Sequence, residues 1–190
     1  MAAGRSIKVV AMEASEVLKF WFEEIDSSQW WTKDRDFDQL IVDRFSDTHA
    51  KAARCEFYEW RGSAQGRLAE VIVLDQFSRN MFRNTARAFA YDPLALALSQ
   101  EAISQEADIE LDSSRRPFIY MPFMHSESLE IHEVAIDLFR RNGNENNLNF
   151  EVQHMDIIQR FGRYPHRNKI LGRESTDDEI EFLKGPGSKF

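Results

Sequence analysis

Ser63-Ala64-Gln65-Gly66-Arg67-Leu68-Ala69-Glu70-Val71-Ile72-Val73-Leu74-Asp75-Gln76-Phe77 is the stretch whose reading decides the fold. Ser63 is a helix-start residue, because its hydroxyl can take one of the backbone N–H groups that a first turn leaves without a partner. Beyond it Leu68, Ala69, Val71, Ile72, Val73, Leu74 and Phe77 leave almost no polar face. A helix apolar on nearly every side must be buried on nearly every side, so this one belongs at the centre of the protein. Asp75 interrupts the run, and Gln76 follows it. A buried carboxylate is either paired or has its pKa raised. Arg79, four residues on, is the natural partner; a general base is the minority reading of Asp75.

Helical periodicity continues outward in both directions, and strand alternation is almost absent. Upstream, Ser15 reads as the N-cap of a helix over 16–25, where Val17, Leu18, Phe20, Trp21, Phe22 and Ile25 demand burial. Asp36 with Gln39 reads as a capping-box start, and Phe37, Leu40, Ile41, Phe45, Thr48, Ala52 and Cys55 follow at three-and-four spacing. Trp30 and Trp31 are expected to close the first helix onto the second. Cys55 reads as a small core residue on that apolar stripe rather than a nucleophile.

Downstream, Asp92-Pro93 predicts a helix with Asp as cap and Pro in the first turn. The segment 111–124 holds two prolines and Phe118-Ile119-Tyr120-Met121, and predicts a short or irregular helical piece packed into the core. A helix over 126–141 is ended by Asn142-Gly143-Asn144, and another covers 148–161. The last starts at Thr176, with Glu179 completing a capping box, and stops at Gly185-Pro186-Gly187. The expectation is an all-α protein of about seven helices joined by short turns and paired antiparallel.

The bulk numbers exclude some functions. A chain of 190 residues with 43% hydrophobic and 29% charged content can bury a real core. A formal net charge of -8 argues against a dedicated nucleic-acid binder, which needs a basic surface. One cysteine allows no internal disulfide, and no segment approaches a membrane span, so a cytoplasmic location is expected. Residues 1–12 read as a loose tail and 13–190 as one helical domain.

A short phrase recurs at an offset of 84 residues. Phe77-Ser78-Arg79-Asn80-Met81-Phe82-Arg83-Asn84 and Phe161-Gly162-Arg163-Tyr164-Pro165-His166-Arg167-Asn168 share F-x-R-x-x-x-R-N. The offset raises the reading of two related halves. It also places Arg79 and Arg83, and Arg163 and Arg167, as two arms near helix ends. Arginine's planar fork matches carboxylate or phosphate, so Arg79, Asn80, Arg83, Arg163, His166, Arg167 and Asn168 are the candidate ligand-binding residues. The competing reading is structural, with the arginines paired to carboxylates or to helix C-termini. His125-Ser126-Glu127 opens the predicted helix over 126–141, and His154 lies on another. The candidate catalytic set is Asp75, His125, Glu127 and His154. No metal site is expected, since HExxH is absent and His125 and His132 stand seven residues apart, about 10 Å along a helix. No phosphate loop, dinucleotide fingerprint or nucleophile elbow is present, so no cofactor is expected.

Several blocks together resemble a known family. Leu18-Lys19-Phe20-Trp21-Phe22, the Leu-Asp-Gln-Phe core of 68–83, Ala88-Phe89-Ala90-Tyr91-Asp92-Pro93-Leu94-Ala95, Pro122-Phe123-Met124-His125-Ser126-Glu127 and 161–183 resemble the mainly bacterial domain of unknown function 924. Ser78 and Asn84 depart from the pattern, where Pro and Gly are expected. The resemblance implies an all-helical, tetratricopeptide-like array and supplies no activity. The leading expectation is a binding protein whose arginine-lined groove takes an anionic small molecule or acidic peptide. The alternatives are a hydrolase or transferase using Asp75 or His125 with arginines stabilising negative charge, and a purely structural or assembly protein.

Overall fold

The computed structural model describes residues 14–188; the expected tail, 1–12, lies outside them. Residues 14–19 are helical and pass into a π-helical turn at Phe20–Glu24, together α1. Helix is already formed at residue 14, so Ser15 lies inside it and is not its cap. A 3-10 turn at Ser27–Trp31 follows, opened by a capping box of Asp26 and Gln29. Trp30 stacks on Trp21, donates Nε1 to the Trp21 carbonyl at 2.9 Å and meets Phe118 edge-on at 5.0 Å. It therefore closes α1 against the Phe118 segment rather than against the next helix, and Trp31 is 64% exposed.

α2 spans Arg35–Ala53. Its cap is Asp34, whose carboxylate accepts the N–H groups of Asp36 and Phe37, so the expected Asp36–Gln39 box is replaced by a cap two residues earlier. α2 also stops short of Cys55. That residue is exposed, with φ +58, and ends the helix in a left-handed conformation instead of lying on its apolar stripe.

α3, Ala64–Ile72, starts where expected, with Ser63 Oγ accepting from Gly66 N at 3.1 Å. The helical path continues through a π-helical turn, Val73–Phe77, into α4, Ser78–Met81. Every residue from Leu68 to Ser78 is buried. This rod is the centre of the molecule: the π turn and α4 lie on α2, and α3 lies on α5, Asp92–Ser104, and α6, Pro117–Met124. All eight residues of α6 are buried, matching the short core helix expected there. The two π turns meet through Trp21 and Phe77, whose rings are 5.5 Å apart.

α7, Leu129–Asn142, starts later than expected because 125–128 form a connection from α6. Gly143 at φ +78 ends it, and Asn144 caps α8, Glu145–Phe161, by accepting from Asn147 N. So short a turn folds α7 and α8 back on one another as a helical hairpin. A 3-10 turn at Pro165–Arg167, then α9, Asn168–Leu171, and α10, Asp177–Phe182, complete the chain. The Thr176–Glu179 capping box of α10 forms as expected. A second, smaller core of Ile157, Ile158 and Tyr164 fastens this C-terminal segment to α8. Among the described residues there is no strand, and no helix is long and apolar enough to cross a membrane.

The two F-x-R-x-x-x-R-N copies take different backbones. The first stays helical to Met81 and ends with Asn84 at φ +64. The second leaves α8 through Gly162 at φ +66, and its Asn168 opens α9.

One close approach in this frame is testable. A Cβ on Gly66 would stand 2.0 Å from the Trp60 carbonyl oxygen. Gly66→Ala is expected to cost roughly 3 kcal/mol, as overpacking against backbone does. The readout is the urea midpoint followed by circular dichroism; an unchanged midpoint would show that α3 and the 58–62 turn are not in this contact.

Candidate functional site

The site starts from the carboxylate of Asp75, which has no exposed surface and sits in the π turn. Oδ1 lies 2.7 Å from His125 Nδ1 and 3.0 Å from Arg79 Nη1, and Oδ2 accepts from Gln76 Nε2 at 2.5 Å. Burial pushes this carboxyl up. The Arg79 charge, together with the hydrogen bonds from His125 and Gln76, outweighs that and holds it well below the usual carboxylate range. His125 moves the other way: burial, then the Arg79 charge, push its pKa down. An ionised Asp75 facing a neutral imidazole fixes the tautomer, with Nδ1–H donating to the carboxylate and Nε2 left as the acceptor.

Arg79 carries the network outward. It donates Nη1 and Nη2 to the two oxygens of Asp92 at 3.0 and 3.1 Å, and Nη1 to the Asp75 carbonyl at 2.9 Å. Asp92 was expected as a helix cap. It makes no capping bond, because its carboxylate is taken by arginines on both sides. The second arginine is Arg167, whose Nη1 reaches Asp92 Oδ2 at 3.2 Å and whose Nη2 reaches the His125 carbonyl at 3.1 Å. Phe89 lies under both guanidinium groups, 5.8 Å from Arg79 and 4.6 Å from Arg167. The cluster thus pairs two carboxylates with two arginines and leaves one neutral histidine. His125 is held at both ends, by Asp75 through its ring and by Arg167 through its carbonyl.

The other candidates do not share this centre. Asn80 and Arg83 both bind Asp38, Asn80 at 2.9 Å and Arg83 at 2.5 and 2.6 Å, which ties α4 to α2. Arg163 forks onto Glu179 at 2.7 and 2.8 Å, and Asn168 reaches the same carboxylate at 3.2 Å, which fastens the start of α10. Glu127 accepts both Nη groups of Arg173, at 2.6 and 2.9 Å, and the Tyr164 N–H at 2.8 Å. His154 donates Nδ1 to the Phe150 carbonyl at 2.7 Å. The four arginines therefore do not line one groove. One from each arm, Arg79 and Arg167, meets at Asp92; Arg83 and Arg163 are structural staples. Among the described residues no group of histidine, cysteine and carboxylate side chains could hold a metal ion.

Sequence reading missed the residue around which three further histidines gather. Tyr164 is fully buried, with its hydroxyl donating to the Met124 carbonyl at 2.5 Å. The rings of His132, His154 and His166 lie 6.3, 5.7 and 5.6 Å from its own. His132 Nδ1 is 2.5 Å from Glu151 in a fully buried pair, and burial raises the Glu151 pKa. No local pattern announces this cluster, because its members come from α7, α8 and the 165–167 turn. Asp92 and Phe89, also missed, do fall inside one of the family blocks quoted above.

The family model described as "Bacterial protein of unknown function (DUF924)" matches residues 17–187, so the chain belongs to that family. The solved structure of a protein of unknown function from Agrobacterium tumefaciens, ATU0120, is similar to it throughout. Identity is 41%, the TM-score is 0.88, and the match covers 92% of this chain and 99% of that one. Among curated proteins none matches.

Two outcomes follow from the electrostatics. Burial, with nearby arginine charge at His49 and His166, holds His49 at about 4, and His154 and His166 at about 3. Unfolded histidine takes its proton near 6.5, so the unfolded state binds more protons below that pH and stability falls with it. The urea midpoint is expected to be highest above about pH 6.5 and to fall steadily towards pH 4, by up to about 1.4 kcal/mol per pH unit for each histidine. A flat profile from pH 7 to 5 would contradict their burial. Separately, Asp92→Asn leaves Arg79 and Arg167 facing each other without their shared anion, and about 3 kcal/mol of stability should be lost. Asp38→Asn, at the more peripheral Arg83 pair, should cost about 1 kcal/mol; equal losses would deny Asp92 its central place.

Proposed function

We propose that this member of the family is an acid–base enzyme of hydrolase or transferase type, with His125 as the general base. The observation that carries the reading is the His125–Asp75 pair. Nδ1 is bound to a buried carboxylate at 2.7 Å, while Nε2 has no partner among the described residues and the side chain is 16% exposed. A neutral imidazole backed by an ionised aspartate can take a proton at Nε2 from a water or hydroxyl attacking an electrophilic centre. Asp75 stabilises the imidazolium that results. Arg167 and Arg79 supply fixed positive charge beside it, which suits an anionic substrate or a developing negative charge. Because their guanidinium groups are already hydrogen-bonded, they act by field and by positioning more than by direct capture.

Binding without chemistry is the second reading, at the same place. Its support is Arg167 Nε, which is buried and has no hydrogen-bond partner. In that version an anionic small molecule or acidic peptide meets Arg79 and Arg167 only. A tetratricopeptide-like stacking of the helix pairs and a cytoplasmic location belong to the same proposal; the α7–α8 hairpin supports the former.

The test has two parts. Nitrogen chemical shifts of His125 should report a neutral ring at pH 7 with the proton on Nδ1, and Asp75→Asn should disturb that tautomer. A panel of ester, phosphomonoester and amide substrates should contain one whose turnover falls about 100-fold or more in His125→Gln, with KM little changed. A proton found on Nε2, or a turnover indifferent to His125→Gln, would remove the general base. A ligand that raises the melting temperature of wild type and of His125→Gln alike, with no turnover, would favour the binding reading.

A further inference from the structure

A cleft of about 510 Å³ opens between α2 and the α4 to α5 region, and neither His125 nor Asp75 lines it. Its size suits a small molecule. Val42, Ala53 and Met81 give it apolar walls. No aspartate or glutamate lines it, although the chain as a whole carries a net charge of -8. Its charged lining is instead Arg54 and Arg87. Arg54 is committed to Glu56, at 2.5 and 3.1 Å. Arg87 has its guanidinium 3.9 Å from the centre of the Phe82 ring and no carboxylate partner among the described residues.

The inner wall is polar in a defined way. His49 is only 2% exposed, and its ring meets those of Phe82 and Tyr91 edge-on at 5.1 and 4.9 Å. The Ser78 hydroxyl donates its one proton to the Leu74 carbonyl at 2.6 Å. Toward His49 Nε2, 2.8 Å away, it can then only accept. Nε2 therefore carries a proton, and burial, which holds His49 at about 4, leaves Nδ1 without one, so the ring presented to the cleft is neutral. A positive rim, apolar walls and a floor without anionic groups select one ligand chemistry: a single negative charge on an apolar body.

We propose that this cleft is a second binding site, for a small monocarboxylate whose carboxylate pairs with Arg87 and whose hydrocarbon part lies against Met81, Val42 and Ala53. The two groups are matched in kind. A planar guanidinium already stacked on an aromatic ring keeps its edge N–H groups for a carboxylate. The apolar walls would otherwise hold water in contact with hydrocarbon. The site stands independently of the acid–base reading of His125, since it shares no side chain with that cluster.

Sodium hexanoate is the probe, titrated into full-length protein carrying methyl-labelled methionine. Saturable shifts are expected at the Met81 methyl group, and not at Met124. Arg87→Gln, an exposed substitution with little effect on folding, should raise the Kd about tenfold or more, the worth of a charged hydrogen bond. 1-Hexanol should bind more weakly than hexanoate by a similar factor. Ala53→Phe should fill the cleft and abolish the shifts, its fold being checked by circular dichroism. His125→Gln should leave the Kd unchanged, which separates this site from the other. Absence of saturable shifts at Met81, a Kd indifferent to Arg87→Gln, or equal affinity for hexanol and hexanoate would each overturn the proposal.

Discussion

An ionised carboxylate with no exposed surface, Asp75 in the buried helical rod at the centre of the fold, is the constraint on which the rest depends. Such a charge is tolerated inside a protein only when every lone pair and the net charge are answered. The helix itself answers part, through Arg79 and Gln76. The remainder comes from His125, the residue that ends α6. Arg79, drawn inward by Asp75, needs a second anion, and Asp92 at the start of α5 supplies it. Asp92 in turn holds Arg167 from the C-terminal segment. One buried charge thus positions three elements that are remote in sequence.

The same chain of pairings accounts for the shape of the site. His125 sits in a connection, where backbone freedom is normally large, yet it is anchored through both its ring and its carbonyl. Catalytic side chains need that kind of fixed presentation. The π-helical turn at Val73–Phe77 belongs to the same economy of geometry, since widened turns within helices recur where a side chain must be aimed against the regular repeat. Arg83 and Arg163 show the contrast. Each has the same residue type, and the same place in the F-x-R-x-x-x-R-N pattern, as its counterpart in the other arm. Each nonetheless ends on a carboxylate outside the Asp75 cluster, Asp38 or Glu179, and ties elements together there.

Much of the fold was legible because it rests on short-range chemistry. Ser63 and the Thr176–Glu179 box cap their helices, Gly143 breaks α7 from α8, and the apolar run at 118–121 packs as a short core helix. The misreadings also have local causes. Asp34 and Asp36 are both of a capping type, and Asp34 takes the role because its backbone is extended while Asp36 already lies inside the helix. Cys55 continues an apolar spacing but falls just beyond the helix that the spacing described. Asp92 has the type and position of a cap, and loses that role to two arginines that bind its carboxylate more strongly than a backbone N–H would. Within the site, Asp75, Arg79 and His125 were identifiable by residue type, whereas the histidines around Tyr164 were not, because nothing in their spacing relates them.

By itself the sequence determined that this protein is all-α, that 68–77 is its central helix, and that Asp75 must find positive or donor partners there. Those conclusions follow from periodicity and from the cost of burying a charge, both of which act over a few residues. Tertiary structure alone decided which partners meet. Arg79 and Arg167 occupy different places in the two similar phrases, and they converge because α5, α6 and the C-terminal segment pack around one helix. The doubled phrase is helical in one copy and a turn in the other, since each backbone obeys its surroundings rather than its spelling. Proximity between distant arginines is a property of packing, and packing is fixed by the whole core at once.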